Sequence, residues 1–353
     1  MKGVIRVQID GYFASSNSGE GFKNYYKEVF GKVPRIYVIK GGPGTGKSRF
    51  MRDVAKYAEL RGWECENYYC SSDPSSLDGV ILTREGQCVG VLDGTPPHTW
   101  EPQLPGAREQ IINLGDFWDE KALEERAGEI ERINKAKNAC WRRAYKWLEG
   151  CTDMCDIIRA YGESLINDRD VAAHAAAMLS TVPDGDAFSI RTALIDSVGM
   201  MGRVSSDAFE HCGKVYAVND HFLTADILLR ALIGESQRKK LKIVVSYDPI
   251  DPRRVDGVMV DRGQISAVVV KQTAPQNCEQ IYMRELCMCA DDVVAGEVYR
   301  AERCYEKMLL GAKSALADVG NRHFELEQIY VSAMNFDEKQ RFTEDFCAKV
   351  FGE

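Results

Sequence analysis

The sequence predicts an α/β protein in which a mostly parallel sheet flanked by helices is duplicated in tandem, each half carrying a helical hairpin extension. Apolar, β-branched runs such as Arg35–Lys40 are each followed by a loop and by a segment with helical periodicity. The order of strand, loop, helix, Asp-Pro loop and closing strand recurs with a period of roughly 180 residues. A chain of 353 residues is also long enough for two domains that each bury a core.

The composition limits the classes of function. With 45% apolar and 28% charged residues the chain is typical of globular proteins. Its apolar runs, such as Ala267–Val270, are far shorter than the roughly 20 residues of a membrane helix, so we expect no membrane partner. Met1–Phe13 lacks the pattern of an export signal, which favours the cytoplasm. A net charge of −8 disfavours nucleic acid as a partner, and no protein partner is indicated.

The 12 cysteines are scattered from Cys65 to Cys347. In a long chain without an export signal this distribution predicts reduced thiols rather than disulfides. Cys151 and Cys155 are four residues apart, and Cys287 and Cys289 are two apart, so neither pair has the spacing of a common zinc site. Cysteine spacing therefore predicts no structural metal.

The segment Gly41–Ser48, GGPGTGKS, fits the phosphate-loop pattern GxxxxGK[ST] and lies between a predicted strand and a predicted helix. Its glycines let backbone N–H groups point inward around a phosphate, and the helix adds the positive end of its dipole. Lys47 would reach the β and γ phosphates. The predicted nucleotide-binding residues are Gly41, Gly42, Pro43, Gly44, Thr45, Gly46, Lys47, Ser48 and Arg49. We therefore predict a P-loop NTPase-type fold.

A nucleotide site of this kind also needs an acidic residue at the end of a neighbouring strand. Asp93 follows an apolar run, so Ser48 and Asp93 are the predicted Mg²⁺ ligands. The predicted catalytic residues are Lys47, Asp93, Asp73 and His98. Gly94 follows Asp93 where many ATP-hydrolysing proteins have Glu, so the group that activates water stays open among Asp73, Asp78, His98 and Glu101. Asp73 could equally cap an Asp-Pro turn, and His98 could be an ordinary loop histidine.

The second half is predicted to be a degenerate copy. The segments Ser71–Ile81 and Ser246–Met259 share an Asp-Pro and an Asp-Gly-Val, and we align them with three extra residues in the later copy. Lys214–Leu232 then replaces the glycine loop without any glycine after Val215, and Lys271 replaces Asp93. Without the ring of N–H groups and with a cation at the metal position, this copy should bind no magnesium nucleotide.

Each half is predicted to end in helices, over 121–167 and 291–320, that pack on their own sheet or on each other. We predict a nucleotide-binding domain at residues 1–182, with its helical extension at about 119–180, and a pseudo-domain at residues 183–353. Ser180–Gly185 is the predicted linker.

Several segments together resemble a bacterial family of tandem P-loop proteins that is common in Firmicutes and whose members are labelled ATPases. The segments are Gly11–Phe22, Lys40–Ser48, Cys70–Val80, Leu92–His98 and Ile112–Asp119. The resemblance covers essentially the whole chain and implies ATP, rather than GTP, as the nucleotide. In that family the second half has its own glycine-rich loop, and this sequence departs from the family there.

Three functions stay open at this stage. The first is Mg²⁺-dependent ATP hydrolysis at one site, the second is phosphoryl transfer to a small molecule, and the third is nucleotide binding by a regulator with little turnover. A further hypothesis concerns the two arginines of the later Asp-Pro loop. If the two halves pack with pseudo-twofold symmetry, Arg253 or Arg254 would reach the phosphates as an arginine finger.

Overall fold

The computed structural model describes residues 4–6, 11–271 and 273–352. Most of Met1–Phe13, on which the prediction of no export signal depends, lies outside these residues. The strands in chain order are β1 Val4–Arg6, β2 Tyr12–Phe13, β3 Ser15–Ser18, β4 Gly21–Asn24, β5 Arg35–Lys40, β6 Glu64–Tyr69, β7 Leu77–Arg84, β8 Gln87–Asp93, β9 Glu109–Asn113, β10 Ser189–Thr192, β11 Asp196–Gly199, β12 Gly202–Ser205, β13 Lys214–Asn219, β14 Lys242–Tyr247, β15 Val255–Val260, β16 Ile265–Val269 and β17 Glu279–Tyr282. The α-helices are α1 Tyr26–Phe30, α2 Lys47–Glu59, α3 Glu120–Glu125, α4 Ala127–Leu165, α5 Asp168–Met178, α6 Ala225–Arg238, α7 Asp292–Ser332 and α8 Phe336–Phe351.

Two six-stranded sheets have the same topology. Their strand orders are β2-β6-β7-β8-β5-β9 and β10-β14-β15-β16-β13-β17. In the first sheet β7 alone runs antiparallel to its neighbours, and in the second sheet β15 does the same. The predicted α/β class, with two similar halves of mostly parallel strands flanked by helices, is confirmed.

The chain forms two compact units. Unit I consists of residues 11–15, 24–143 and 315–353 and contains the first sheet. Unit II contains the second sheet and consists of residues 4–6, 16–23 and the described part of 144–314. This division differs from the predicted boundary between residues 182 and 183, because unit II includes residues 144–182 and unit I includes residues 315–353.

The core of unit I lies between its sheet and two helices. Helix α2 buries Phe50 and Val54, four residues apart and therefore on one face, against the strands. Helix α8 adds Phe346, whose ring centroid is 5.1 Å from that of Phe50 and 4.8 Å from that of Tyr37. Helix α2 is therefore packed against both the sheet and α8 within unit I.

The core of unit II is built in the same way from α5, α6 and the second sheet. Val171, Ala175 and Met178 form a stripe at helical spacing on α5 and pack with Leu228 and Leu232 of α6. Helix α5 is preceded by the Asn167 cap, as α8 is preceded by the Asn335 cap. The helices predicted over 121–167 and 291–320 are present, and α7 continues to Ser332.

The register of the strands corrects the alignment of the two Asp-Pro segments. Tyr69 pairs with Leu77 in unit I and Tyr247 pairs with Val255 in unit II, and both hairpins carry an irregularity just before this pair. The intervening segments therefore have equal length, and the predicted three-residue insertion is wrong. The later copy contains two Asp-Pro pairs, and the second of them, at Asp251, is the counterpart of Asp73–Pro74.

The register also corrects the position assigned to Lys271. Ile39 pairs with Asp93 on β8, whereas Val218, the counterpart of Ile39, pairs with Val269. Val269 therefore replaces Asp93, and Lys271 lies two residues further on, at the position of Thr95. The second copy still lacks an acid at the strand end, because an apolar residue takes its place.

Candidate functional site

The glycine loop joins the buried strand β5 to α2 at the carboxyl edge of the first sheet. Gly44 and Gly46 have φ angles of +72° and +75°, in the left-handed region that glycine adopts without a Cβ clash. A Cβ on Gly44 would lie 2.9 Å from the backbone oxygen of Glu327 on α7. Thr45 Oγ1 donates to the Gly42 carbonyl at 2.9 Å. The loop is thus closed by an internal bond and packed against a helix of its own unit.

Lys47 begins α2 and turns back over the loop. Its Nζ donates to the carbonyl oxygens of Gly41 at 3.0 Å and Gly42 at 2.9 Å. The same atom is 3.6 Å from Asp93 Oδ2, and the Lys47 side chain is only 15% exposed. An ammonium group is therefore held at the mouth of the loop, next to the acid at the end of β8.

Ser48 and Asp93 are the two residues predicted to hold Mg²⁺. Ser48 is the second residue of α2, and Asp93 is the last residue of β8, the strand next to β5. Ser48 Oγ accepts from the Leu77 N–H at 2.9 Å. Asp93 Oδ1 accepts from the Thr95 N–H at 2.8 Å and from its Oγ1 at 2.5 Å, which leaves Oδ2 directed at Lys47. Hydroxyl and carboxylate oxygens suit Mg²⁺, so this donor set fits that ion.

Three other predicted residues have different surroundings. Asp73 accepts bonds from Ser75 and Ser76 at 2.7 to 3.0 Å through both carboxylate oxygens, so it caps the Asp-Pro turn. Arg49 pairs with Asp53 at 2.9 Å on the exposed face of α2. Glu101 is 75% exposed and lies 3.4 Å from Lys40 Nζ. The carboxylate of Asp73 is thus held within its own turn, and the side chain of Glu101 mostly faces solvent.

His98 is buried and belongs to a cluster with Asp78 and Cys70. His98 Nε2 is 3.2 Å from Asp78 Oδ2, and the imidazole stacks on Tyr26 with 5.6 Å between ring centroids. One ligand atom from each of Cys70, Asp78 and His98 lies within 4.8 Å of the others. Burial raises the pKa of the Asp78 carboxyl above its usual value, and His98 counteracts this shift.

Two residues near the loop come from α7 and were not predicted. Glu327 packs against Gly44, and its pKa is raised by burial and by the charge of Asp73, while Lys47 lowers it. Burial, together with Lys137 and Lys47, lowers the pKa of His323 to about 4, so the imidazole is neutral near pH 7. No local pattern points to these side chains, because α7 is placed beside the loop only by tertiary packing.

The corresponding loop of unit II has a different shape. Asp226 is the counterpart of Ser48, because Ser48 accepts from the Leu77 N–H and Asp226 accepts from the Val255 N–H. The loop of unit II therefore runs from Asp220 to Ala225 and is one residue shorter than the loop of unit I. Phe222 and Leu223 have φ angles of +52° and +59°, which are strained for residues with a side chain. With no glycine and no lysine here, the loop lacks the features of the loop in unit I.

A buried charged cluster fills the sheet edge of unit II. Arg203 Nη2 is 2.7 Å from Asp196 and 3.2 Å from both Asp248 and Asp256. Lys271 Nζ pairs with Asp256 and lies 3.6 Å from Asp248. Burial raises the pKa of Asp256 to about 7, although Lys271 favours its ionised form. The cluster borders a cavity of about 250 Å³ within unit II.

The two arginines of the later Asp-Pro loop are held by carboxylates of unit II. Arg253 bonds Asp251 at 2.7 Å and Asp156 at 2.6 Å. Arg254 is buried and pairs with Asp220 at 3.2 Å. Both guanidinium groups therefore have partners in their own unit, and the hypothesis of an arginine finger gains no support from these contacts.

Every helix among the described residues is too short or too polar to cross a lipid bilayer. Comparisons with known protein families, with curated proteins and with solved structures found no match for this chain.

Proposed function

We propose that unit I is a P-loop NTPase-type domain that binds ATP with Mg²⁺ at Gly41–Ser48 and hydrolyses it, and that unit II binds no nucleotide in this way. The observation that carries the proposal is the position of Lys47. Lys47 is the first residue of α2, and its ammonium group bonds the carbonyls of the loop and lies beside Asp93. With a phosphate chain in the loop, Lys47 would exchange neutral carbonyl acceptors for anionic phosphate oxygens, to which an ammonium group bonds more strongly.

The loop offers the other features that a phosphate group needs. Gly44 and Gly46 have the left-handed conformation that allows successive N–H groups to point into a phosphate loop, and a 13-residue helix begins directly after them. The helix dipole favours negative charge at this end. Backbone donors, dipole and ammonium group thus act on the same small volume.

Ser48 and Asp93 are the residues that would hold Mg²⁺. The bound ion would neutralise charge on the phosphate oxygens. Lys47 would share that task, since it lies beside Asp93 and is nearly buried, where its charge is poorly screened by water.

Glu327 is the carboxylate that best suits the orientation of water. It lies beside the loop at Gly44, within the electrostatic reach of Lys47, and a raised pKa brings it closer to the pH at which it would accept a proton. The other carboxylates near the loop are less suited to this role. Both oxygens of Asp73 accept hydrogen bonds within its turn, Asp78 pairs with His98, and Glu101 faces solvent. We therefore assign the water-orienting role to Glu327.

Two parts of the proposal rest on other grounds. ATP is preferred to GTP on the resemblance to the tandem P-loop family. The cytoplasm is proposed because the 12 cysteines are scattered along the sequence without the spacing of a disulfide set.

The test is calorimetric titration of the full chain with ATP and GTP, with and without Mg²⁺. We expect one Mg²⁺-dependent ATP site per chain, and Lys47→Ala should weaken ATP binding by about 100-fold or more, since a charge-assisted contact to phosphate is lost. Lys56→Ala, on the exposed face of the same helix, is the matched control and should leave affinity unchanged.

Phosphate release without an added acceptor then separates hydrolysis from phosphoryl transfer to a small molecule. Equal ATP affinity in Lys47→Ala and wild type, or two nucleotide sites per chain, would contradict the proposal.

A further inference from the structure

Cys70, Asp78 and His98 lie at one edge of the first sheet, on or just after three neighbouring strands. Cys70 directly follows β6, Asp78 is the second residue of the antiparallel β7, and His98 lies in the loop after β8. A thiol, a carboxylate and an imidazole thus converge although they are far apart in the sequence, with their ligand atoms within 4.8 Å of one another.

We propose that Cys70, Asp78 and His98 form a site for a divalent transition-metal ion, preferably zinc, separate from the Mg²⁺ site at Ser48 and Asp93. The donor set decides the class of ion. Thiolate and imidazole favour zinc and similar d-block ions, whereas Mg²⁺ prefers oxygen ligands alone. Three protein ligands leave a fourth position of the usual zinc tetrahedron for water or another small ligand.

The three donor groups face one another at a mostly buried position, as the ligands of a metal ion do. Asp78 is 4% exposed, and its carboxylate faces the other two donors, with His98 Nε2 at 3.2 Å from Oδ2 and the Cys70 thiol within hydrogen-bonding reach. Burial and the charge of Asp78 raise the pKa of the Cys70 thiol, and the backbone N–H groups of Asp73 and Ser72 act in the opposite direction. Hydrogen bonds from N–H groups orient and stabilise a metal-bound thiolate. Burial of a carboxylate is costly unless a cation or a proton joins it.

In unit II the corresponding position is occupied by positively charged side chains. By strand register Asp248 and Asp256 are the counterparts of Cys70 and Asp78. There the two carboxylates bind Arg203 Nη2, each at 3.2 Å, and Lys271. This position of the fold therefore accommodates positive charge, and unit II supplies it from its own side chains.

Unit I does not supply that charge in the same way. Across the described residues Asp78 forms an ion pair with His98 but with no arginine or lysine. The ammonium group of Lys47, whose charge acts on Asp78, is bonded to the loop carbonyls and faces Asp93. A metal ion bound by Cys70, Asp78 and His98 would provide the positive charge that Arg203 and Lys271 provide in unit II, and the thiol proton would pass to solvent on binding.

The test is spectroscopic and needs neither nucleotide nor activity. The full-length protein is treated with a chelator and titrated with Co²⁺, whose thiolate complexes absorb by sulfur-to-metal charge transfer. We expect one tight equivalent per chain with a thiolate band, displaced by one equivalent of Zn²⁺. Wild-type protein that shows no thiolate band would overturn the proposal, whatever the variants do.

Variants locate the band. Cys70→Ser should abolish it, and Asp78→Asn and His98→Gln should each weaken Co²⁺ binding by about 10-fold or more. Cys88→Ser, a half-buried thiol on β8 of the same sheet, is the matched control and should keep the band. A band that survives in a folded Cys70→Ser protein, or that is lost equally in Cys88→Ser, would place the metal elsewhere and refute the site. Lys47→Ala should keep the band, so a failure of this proposal is distinct from a failure of nucleotide binding.

Discussion

The carboxylates around the glycine loop differ in which of their oxygens already have partners. Asp73 uses both oxygens within its own turn, and Asp93 uses Oδ1 for Thr95. Glu327 instead lies beside Gly44 on another element, with a pKa raised by burial. The three side chains have similar chemistry, but only their neighbours decide which of them is available for a reaction.

If Glu327 orients the attacking water, Glu327→Gln should lower ATP turnover by about 100-fold or more, because removal of a general base has this size of effect. ATP affinity should change only a few-fold, because no phosphate contact is lost. Steady-state phosphate release and calorimetry measure the two quantities. Glu325→Gln, an exposed position two residues away on α7 that pairs with Arg322, is the control. Turnover of Glu327→Gln equal to that of Glu325→Gln would remove Glu327 from the reaction.

The predictability of the site follows from how close its residues are in the sequence. The loop at Gly41–Ser48, between a strand and a helix, could be predicted because its pattern is contiguous and its spacing reflects one local geometry. Asp93 could be predicted from its place at the end of an apolar strand. Glu327 and His323 could not, since they lie on a helix whose own periodicity says nothing about which loop it will meet.

At the scale of elements, the glycine loop depends on α7 as well as on its own backbone. Gly44 is left-handed, and a Cβ there would also lie 2.8 Å from Val331 Cγ2 and 2.9 Å from the Glu327 backbone oxygen. Gly62, at the end of α2, is equally left-handed with a φ of +78°, but a Cβ there would meet nothing within 4 Å. The two glycines therefore separate backbone strain from contact with α7.

Gly62→Ala should reduce the free energy of unfolding by about 1 kcal/mol, which is the usual cost of a side chain in this conformation. Gly44→Ala should cost about 1–3 kcal/mol more, because the helix must also move. It should weaken ATP binding as well, since the loop changes shape. Urea unfolding and calorimetry of both variants measure these effects. Equal losses of stability in the two variants would show that α7 does not press on the loop.

Element boundaries and alignments were harder to predict than element types. The strands, the helices and their repetition follow from apolar periodicity. The match between the two Asp-Pro loops was wrong by three residues, because the later loop contains two such pairs and sequence similarity cannot choose between them. The hydrogen-bonded pairs Tyr69–Leu77 and Tyr247–Val255 make that choice.

At the scale of the whole molecule, the compact units do not coincide with the two sequence halves. Unit I includes residues 315–353, and its core contains Phe346 and Phe351 of α8. Phe351 lies against Trp63, with 5.2 Å between ring centroids. The first 182 residues therefore lack part of the core of the sheet that they form.

Expressed alone, residues 1–182 should not unfold cooperatively, because loss of even one buried Phe costs about 3–5 kcal/mol and this fragment lacks all of α8. A chain that joins residues 11–143 to residues 315–353 by a flexible linker is the matched comparison and should unfold cooperatively. Urea titration followed by tryptophan fluorescence tests both. A cooperative transition in the 1–182 fragment would contradict the composition of unit I.

The sequence by itself determined the α/β class, the duplication, the phosphate-loop pattern and the loss of that pattern in the second copy, because each is written in contiguous or periodic residues. Only the tertiary structure decided the register of the copies, the helix that completes each core, the approach of Glu327 to the loop and the meeting of Cys70, Asp78 and His98. Those features depend on contacts between distant segments, where one strand pairing or helix face is selected by packing rather than by local preference.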